Sequence, residues 1–172
     1  MSAIDKLPTN KNFLSPVGFT FSVYKTPGVN YFVQGASIPS LNLGTVEVGT
    51  PFNRLKFPGD KLDLGDFTIT FRVDEELRNY MELYTWMTKI SRNAGFEGYR
   101  SLTTAAVGEG VVSDATLTIL SSSKNPIARV NFTNMYPIAL SELNFDTRLA
   151  DIDYIDVIAT FKYQGFTIEY LI

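Results

Sequence analysis

The sequence contains no cysteine and no histidine. Without cysteine there can be no disulfide framework, no thiolate metal site and no thiol nucleophile. Without histidine, the Ser-His-Asp and Cys-His mechanisms, His-based zinc sites and the commonest general base near neutral pH are excluded too. A basic excess is also missing: 15 Lys plus Arg stand against 18 Asp plus Glu, a formal net charge of −3. The electrostatic footprint of a nucleic-acid reader is therefore absent. No apolar run approaches the roughly 20 residues needed to span a bilayer, so no membrane role is expected. Met1-Ser2-Ala3-Ile4-Asp5-Lys6 does not lead from a basic segment into an apolar one, which reads as the start of a chain that folds in the cytoplasm rather than as a secretory signal.

What is present is apolar mass. The 172 residues are 45% hydrophobic and 13% aromatic, enough for one conventional core, and the length fits a single domain over 1–172. The acids are concentrated late: from Glu142 onward, Glu142, Asp146, Asp151, Asp153, Asp156 and Glu169 face only Arg148 and Lys162, a balance of −4. A solvated acidic face is the plain reading of any one of them.

Polar residues with Pro8, Asn10, Asn12 and Pro16 give residues 1–17 the composition of an extended arm, and Phe13 and Leu14 suggest that it docks on a core or a neighbour. Phe19 to Tyr24 alternates with period two, and Thr26-Pro27-Gly28 predicts a turn joining it to Val29 to Ala36 as a hairpin. Alternation resumes from Leu43 to Val48. Residues 50–65 alternate around Phe52 to Phe57 and carry a Pro58-Gly59-Asp60 turn signal, so a projecting loop or hairpin is expected. Phe67 to Val73 is the cleanest strand and runs into a helix predicted over about 75–91, with Asp74 as N-cap and Leu77, Tyr80, Met81, Tyr84, Met87 and Ile90 as its core stripe. Glycines between Asn93 and Ser113 predict a long loop. Ala115 to Leu120 and Ile127 to Phe132 form a hairpin, weaker alternation covers Leu140 to Phe145, and Tyr154 to Tyr163 and Phe166 to Ile172 are two last strands. About eight strands and one real helix imply a mainly β fold, a β-barrel or two-sheet β-sandwich with one flanking α-helix and long loops.

No motif argues for catalysis, a cofactor or a metal. Asp151, Asp153 and Asp156 resemble the start of a calcium loop but lack its turning glycine and closing glutamate. Gly108-Glu109-Gly110 lacks the rest of a phosphate loop, and Asn131-Phe132-Thr133 is a glycosylation acceptor only formally. Asp63 with Asp66, or Glu75 with Glu76, could pair for glycoside hydrolysis, yet nothing around them marks a sugar site. A carbohydrate-binding or histidine-free glycan-degrading protein is the alternative class.

Three stretches taken together carry a resemblance. Phe52-Asn53-Arg54-Leu55-Lys56-Phe57-Pro58-Gly59-Asp60, then Phe67-Thr68-Ile69-Thr70-Phe71-Arg72-Val73-Asp74-Glu75-Glu76 with the helix through Trp86, is similar to the central part of the tail-tube proteins of contractile-tailed phages, the myovirus tube and tube-initiator family. Asn134 to Leu143 with Phe145-Asp146, followed by Ala159-Thr160-Phe161-Lys162-Tyr163, resembles the end of the same family, which is related in structure to the type VI secretion tube protein. The resemblance covers most of the chain. It implies a structural subunit of a virion tail: hexameric rings that stack into, or initiate, the inner tube through which DNA is ejected. It implies as partners the subunit itself, the tail sheath, the baseplate hub, the tape measure protein and the tail terminator, with DNA passing unbound. Carried over by position, Phe52, Asn53, Arg54, Leu55, Lys56, Phe57, Pro58, Gly59 and Asp60 would meet the adjacent ring. A six-membered ring would carry −18. A channel for a polyanion should not be lined by cations, so Glu142, Asp146, Asp151, Asp153 and Asp156 are expected near the lumen, with Arg54, Lys56 and Lys61 at ring contacts.

Overall fold

The computed structural model describes residues 12–93, 95–104, 110–148 and 154–171. Nine strands and three helices alternate along them: β1 (Phe19–Val23), α1 (Pro27–Phe32), β2 (Val33–Ser37), β3 (Leu41–Gly49), β4 (Arg54–Leu64), β5 (Phe67–Arg72), α2 (Arg78–Ile90), α3 (Gly95–Thr104), β6 (Ser113–Leu120), β7 (Pro126–Leu140), β8 (Asp156–Lys162) and β9 (Gly165–Tyr170). Seven of the strands form an antiparallel sheet. Its order is β1-β6-β7-β8-β5-β2, with β9 also on β7, while β3 and β4 pair only with each other.

The sheet folds over along β7. The first part of that strand pairs β6 and β9, up to Thr133 opposite Gly165, and the part from Tyr136 pairs β8. Asn134 lies between them at φ 52°, a left-handed conformation that asparagine tolerates better than most residues. The two halves thus face each other. Phe21, Leu117, Val130 and Phe132 from one half meet Phe67, Ile69, Phe71, Val157, Ala159 and Phe161 from the other, all buried. Phe67 sits at the centre, its ring centroid 4.6 Å from Phe132 and 5.2 Å from Phe21. Strict alternation of burial on β5 and β8 dictates this: one face of each strand is apolar and buried, and the other is hydroxylated or charged except at the half-exposed Ile158. The fold is a mainly β, open two-layer arrangement, and β1 and β2 do not pair to close a barrel.

Several local expectations change. Phe19 to Ala36 is not a hairpin: β1 pairs β6, β2 pairs β5, and α1 lies between them. Proline at the start of α1 suits a helix because its φ is already helical and its missing N–H would have no partner there. The turn reading of Thr26-Pro27-Gly28 missed a distant residue, Glu82, whose carboxylate accepts from the Gly28 N–H at 3.0 Å and from the Val29 N–H at 3.4 Å. It supplies from α2 what a capping side chain would supply locally. The main helix begins at Arg78 rather than 75, after a left-handed Leu77 at φ 59°, and Asp74 does not cap it through its side chain. The face of α2 toward the core carries Asn79, Leu83 and Trp86, whereas Met81 and Tyr84 are half-exposed. Within the expected 93–113 loop, Gly95–Thr104 is helical.

Candidate assembly interface

The β3–β4 ribbon is the feature the fold leaves without a partner. Its register sets Leu41 opposite Leu64, Leu43 opposite Leu62, Val46 opposite Phe57 and Val48 opposite Leu55. Four apolar cross-strand pairs therefore run from base to tip, and seven of these eight side chains are 45–55% exposed. The turn at the tip is held by the Thr50 N–H and hydroxyl, which donate to the Asn53 carbonyl at 2.8 and 2.6 Å, and it carries Phe52, 99% exposed. An isolated two-stranded ribbon is marginal in water. Among the described residues nothing pairs with this ribbon beyond its own two strands, and contiguous exposed apolar residues of this kind are characteristic of interaction surfaces.

The sequence predicts a projecting loop or hairpin over 50–65; the structure pairs Arg54 to Leu64 with β3. The alternation of Leu43 to Val48 was the signal for that pairing. Pro58-Gly59-Asp60, read as a turn, lies within β4 at a bulge, where the register passes from Leu43–Leu62 to Thr45–Pro58. A Cβ on Gly59 would come within 2.6 Å of the Gly44 carbonyl oxygen, so glycine is required by the close approach of the strands there. The polar side of the tip is internally balanced. Arg54 lies 3.7 Å and Lys56 3.6 Å from Glu47, so these two cations meet an acid of their own ribbon.

Among the described residues the late acids do not gather into a group of three or more that could hold a metal. Glu142 and Asp146 are exposed in the segment after β7, and Arg148 clasps Asp146 at 2.9 Å, holding its carboxyl below the ordinary aspartate range. Asp156 opens β8, where the Arg72 Nε donates to it at 3.0 Å while the guanidinium lies 4.4 Å from the Tyr154 ring. Asp151 and Asp153 lie outside the described residues.

One member of each candidate carboxylate pair is engaged by a cation, and Asp63 adds to the field of Asp66 at Lys162. Asp66 binds Lys162 and Glu76 binds Arg78. A cleft of about 610 Å³ between the β1–α1 turn, α2 and α3 holds Lys25, Arg78 and Lys89 around Trp86. Its one acid, Glu82, already serves the α1 amides. Among the described residues no group of three or more His, Cys, Asp or Glu could hold a metal, and no helix is long and apolar enough to cross a membrane.

The described residues thus present a folded-over β-sheet with a half-exposed apolar ribbon and ion-paired carboxylates. The chain belongs to the phage tail tube protein family, whose model it matches over residues 4–169. No curated protein matches the sequence. Solved structures share the fold. The tube-terminating cap of the anti-feeding prophage is 15% identical with a TM-score of 0.66, and 99% of each chain is covered. A chain of the sheath-tube complex of the extracellular contractile injection system PVC is 14% identical with a TM-score of 0.61, again with 99% of each chain covered. Hcp1 from Flavobacterium johnsoniae is 18% identical with a TM-score of 0.51, covering 91% of this chain and 94% of that one.

Proposed function

We propose that this tail-tube subunit assembles into six-membered rings that stack into, or initiate, the inner tube of a contractile phage tail, through which DNA leaves. The observation that carries this reading is the half-exposed apolar β3–β4 ribbon; on this reading it meets the adjacent ring, with Phe52 to Asp60 at the contact. Fully covering a Val, Leu or Phe side chain is worth about 1.5–3 kcal/mol relative to leaving it in water. Seven half-exposed side chains of this kind, plus Phe52, thus hold a large unspent gain. A contact between the ribbon and a different surface of the next copy is heterologous, the type that builds rings and open polymers. The acids after Glu142 belong, on this reading, near the channel, where they disfavour retention of a polyanion. The sheath, baseplate hub, tape measure protein and terminator are the partners such a tube requires, and synthesis in the host cytoplasm precedes incorporation into the virion tail. Negative-stain microscopy of concentrated protein, alone and mixed with baseplates, tests the proposal. Six-fold rings or tubes are expected. A particle that stays monomeric under both conditions, or closed symmetry of another order, overturns it.

A further inference from the structure

The exposed face of the β2–β5–β8 half-sheet has an unusual charge arrangement. Residues paired across antiparallel strands share a face. The register therefore groups Ser37 with Thr68, Thr68 with Thr160, Thr70 with Ile158 and Arg72 with Asp156 on the side away from the core. The middle of this face carries no charge. Its two cations stand at opposite ends, and each is covered by a carboxylate from the neighbouring strand or its flank: Arg72 by Asp156 and Lys162 by Asp66. The contact with Asp66 also raises the affinity of Lys162 for its proton above that of an ordinary lysine. The face of the other half-sheet differs. Arg129 is in register with Glu169 there, but makes no ion pair within 4 Å among the described residues.

We propose that the Ser37–Thr68–Thr70–Thr160 face is the channel wall, and that Asp156 and Asp66 act on it as masks over Arg72 and Lys162, so that duplex DNA slides past without being held. This inference rests on the tube reading and deepens it. Polyanion passage depends on cancelling two specific cations in addition to the repulsion from the acids after Glu142. A cation that neutralises a phosphate releases condensed counterions and gains affinity at low salt; one already paired with a carboxylate at hydrogen-bond distance has little left to gain. Asp66 enters this role although the late acidic segment does not include it.

The test uses fluorescence anisotropy of a short labelled DNA duplex with the purified full-length chain, over a range of salt concentrations. Wild type should bind negligibly. Asp66→Asn with Asp156→Asn should bind at low salt, the slope of log affinity against log salt steepening by about 2, since each neutralised phosphate contributes about 0.9. Adding Arg72→Gln and Lys162→Gln should abolish the gain. Glu76→Gln with Glu97→Gln, which changes net charge equally and uncovers Arg78 away from this face, should produce none. A folded Asp66→Asn, Asp156→Asn protein that fails to bind overturns the proposal, and so does an equal gain in the control. Should the double variant unfold, Asp66→Asn alone decides by the same readout. Binding is measured on the dispersed subunit, so a failure to form rings would remove the tube reading while leaving the masking result legible.

Discussion

The Asn79 side-chain amide donates to the Arg72 carbonyl at 2.7 Å, and its oxygen accepts from the Tyr80 N–H at 2.8 Å and the Asp74 N–H at 3.3 Å. One fully buried side chain thus ties the end of β5 to the first turn of α2, a junction where backbone groups would otherwise lack partners. The same Arg72 presents its guanidinium on the opposite, exposed face, so the knot also fixes where that cation stands.

Asn79→Leu keeps a similar volume and removes all three bonds. Buried polar groups left unsatisfied cost about 1–3 kcal/mol, and the loss should appear as a lower midpoint in denaturant unfolding with an unchanged slope. A midpoint equal to wild type would show that the junction is held by packing alone.

Ile69 and Met81 should respond differently to the same truncation. Ile69 is 0% exposed between β2 and β8, and Ile69→Ala should cost roughly 2–5 kcal/mol. Met81 is 48% exposed on α2, and Met81→Ala should cost under about 1 kcal/mol. Thermal melts of the two variants check the ranking; equal losses would place Met81 in the core after all.

That contrast shows where sequence reading worked. Period-two alternation identified β5, β6 and β8, because a strand buried on one face writes its environment directly into its residues. The apolar spacing finds the helix, but its stripe includes the half-exposed Met81 and Tyr84 and passes over the buried Leu83. An α2 that carries apolar residues on more than one side does not say which side is inward. The Thr26-Pro27-Gly28 helix start was not legible because its first amides are satisfied by Glu82, more than fifty residues on. The ribbon was half-legible for a similar reason: the alternation of β4 was visible, but its pairing with β3 crosses a bulge that shifts the count. The pairing of Asp156 with Arg72 is set by the register of β5 against β8 and by nothing local.

Leu77 marks a local strain that the sequence did not announce. It holds φ 59° and ψ 16° immediately before α2, a conformation costing a non-glycine residue about 1–2 kcal/mol, and its side chain is 37% exposed. Leu77→Asn should raise the melting temperature, since asparagine tolerates this region and Leu77 belongs neither to the buried core nor to the residues packed against it, while Leu77→Ile should lower it. Calorimetry on both variants settles the sign, and a lowered melt for Leu77→Asn would mean that the packing of Leu77 outweighs its backbone strain.

The ribbon separates folding from assembly most directly. Val46 and Phe57 face each other across β3 and β4, both about half-exposed, and neither belongs to the buried core. Replacing both with threonine retains β-propensity and alters only the character of the patch. The domain should then melt within about 1 kcal/mol of wild type, as expected for surface positions, yet sediment as a smaller species and show no stacked rings by microscopy. Glu47→Gln, on the polar side of the same ribbon, releases Arg54 and Lys56 without touching the apolar pairs. It should leave assembly in place, because exposed ion pairs contribute about 0–1 kcal/mol. A large drop in melting for the threonine variant would make the ribbon part of the subunit's own fold. Intact stacking in that variant would move the ring contact to another surface.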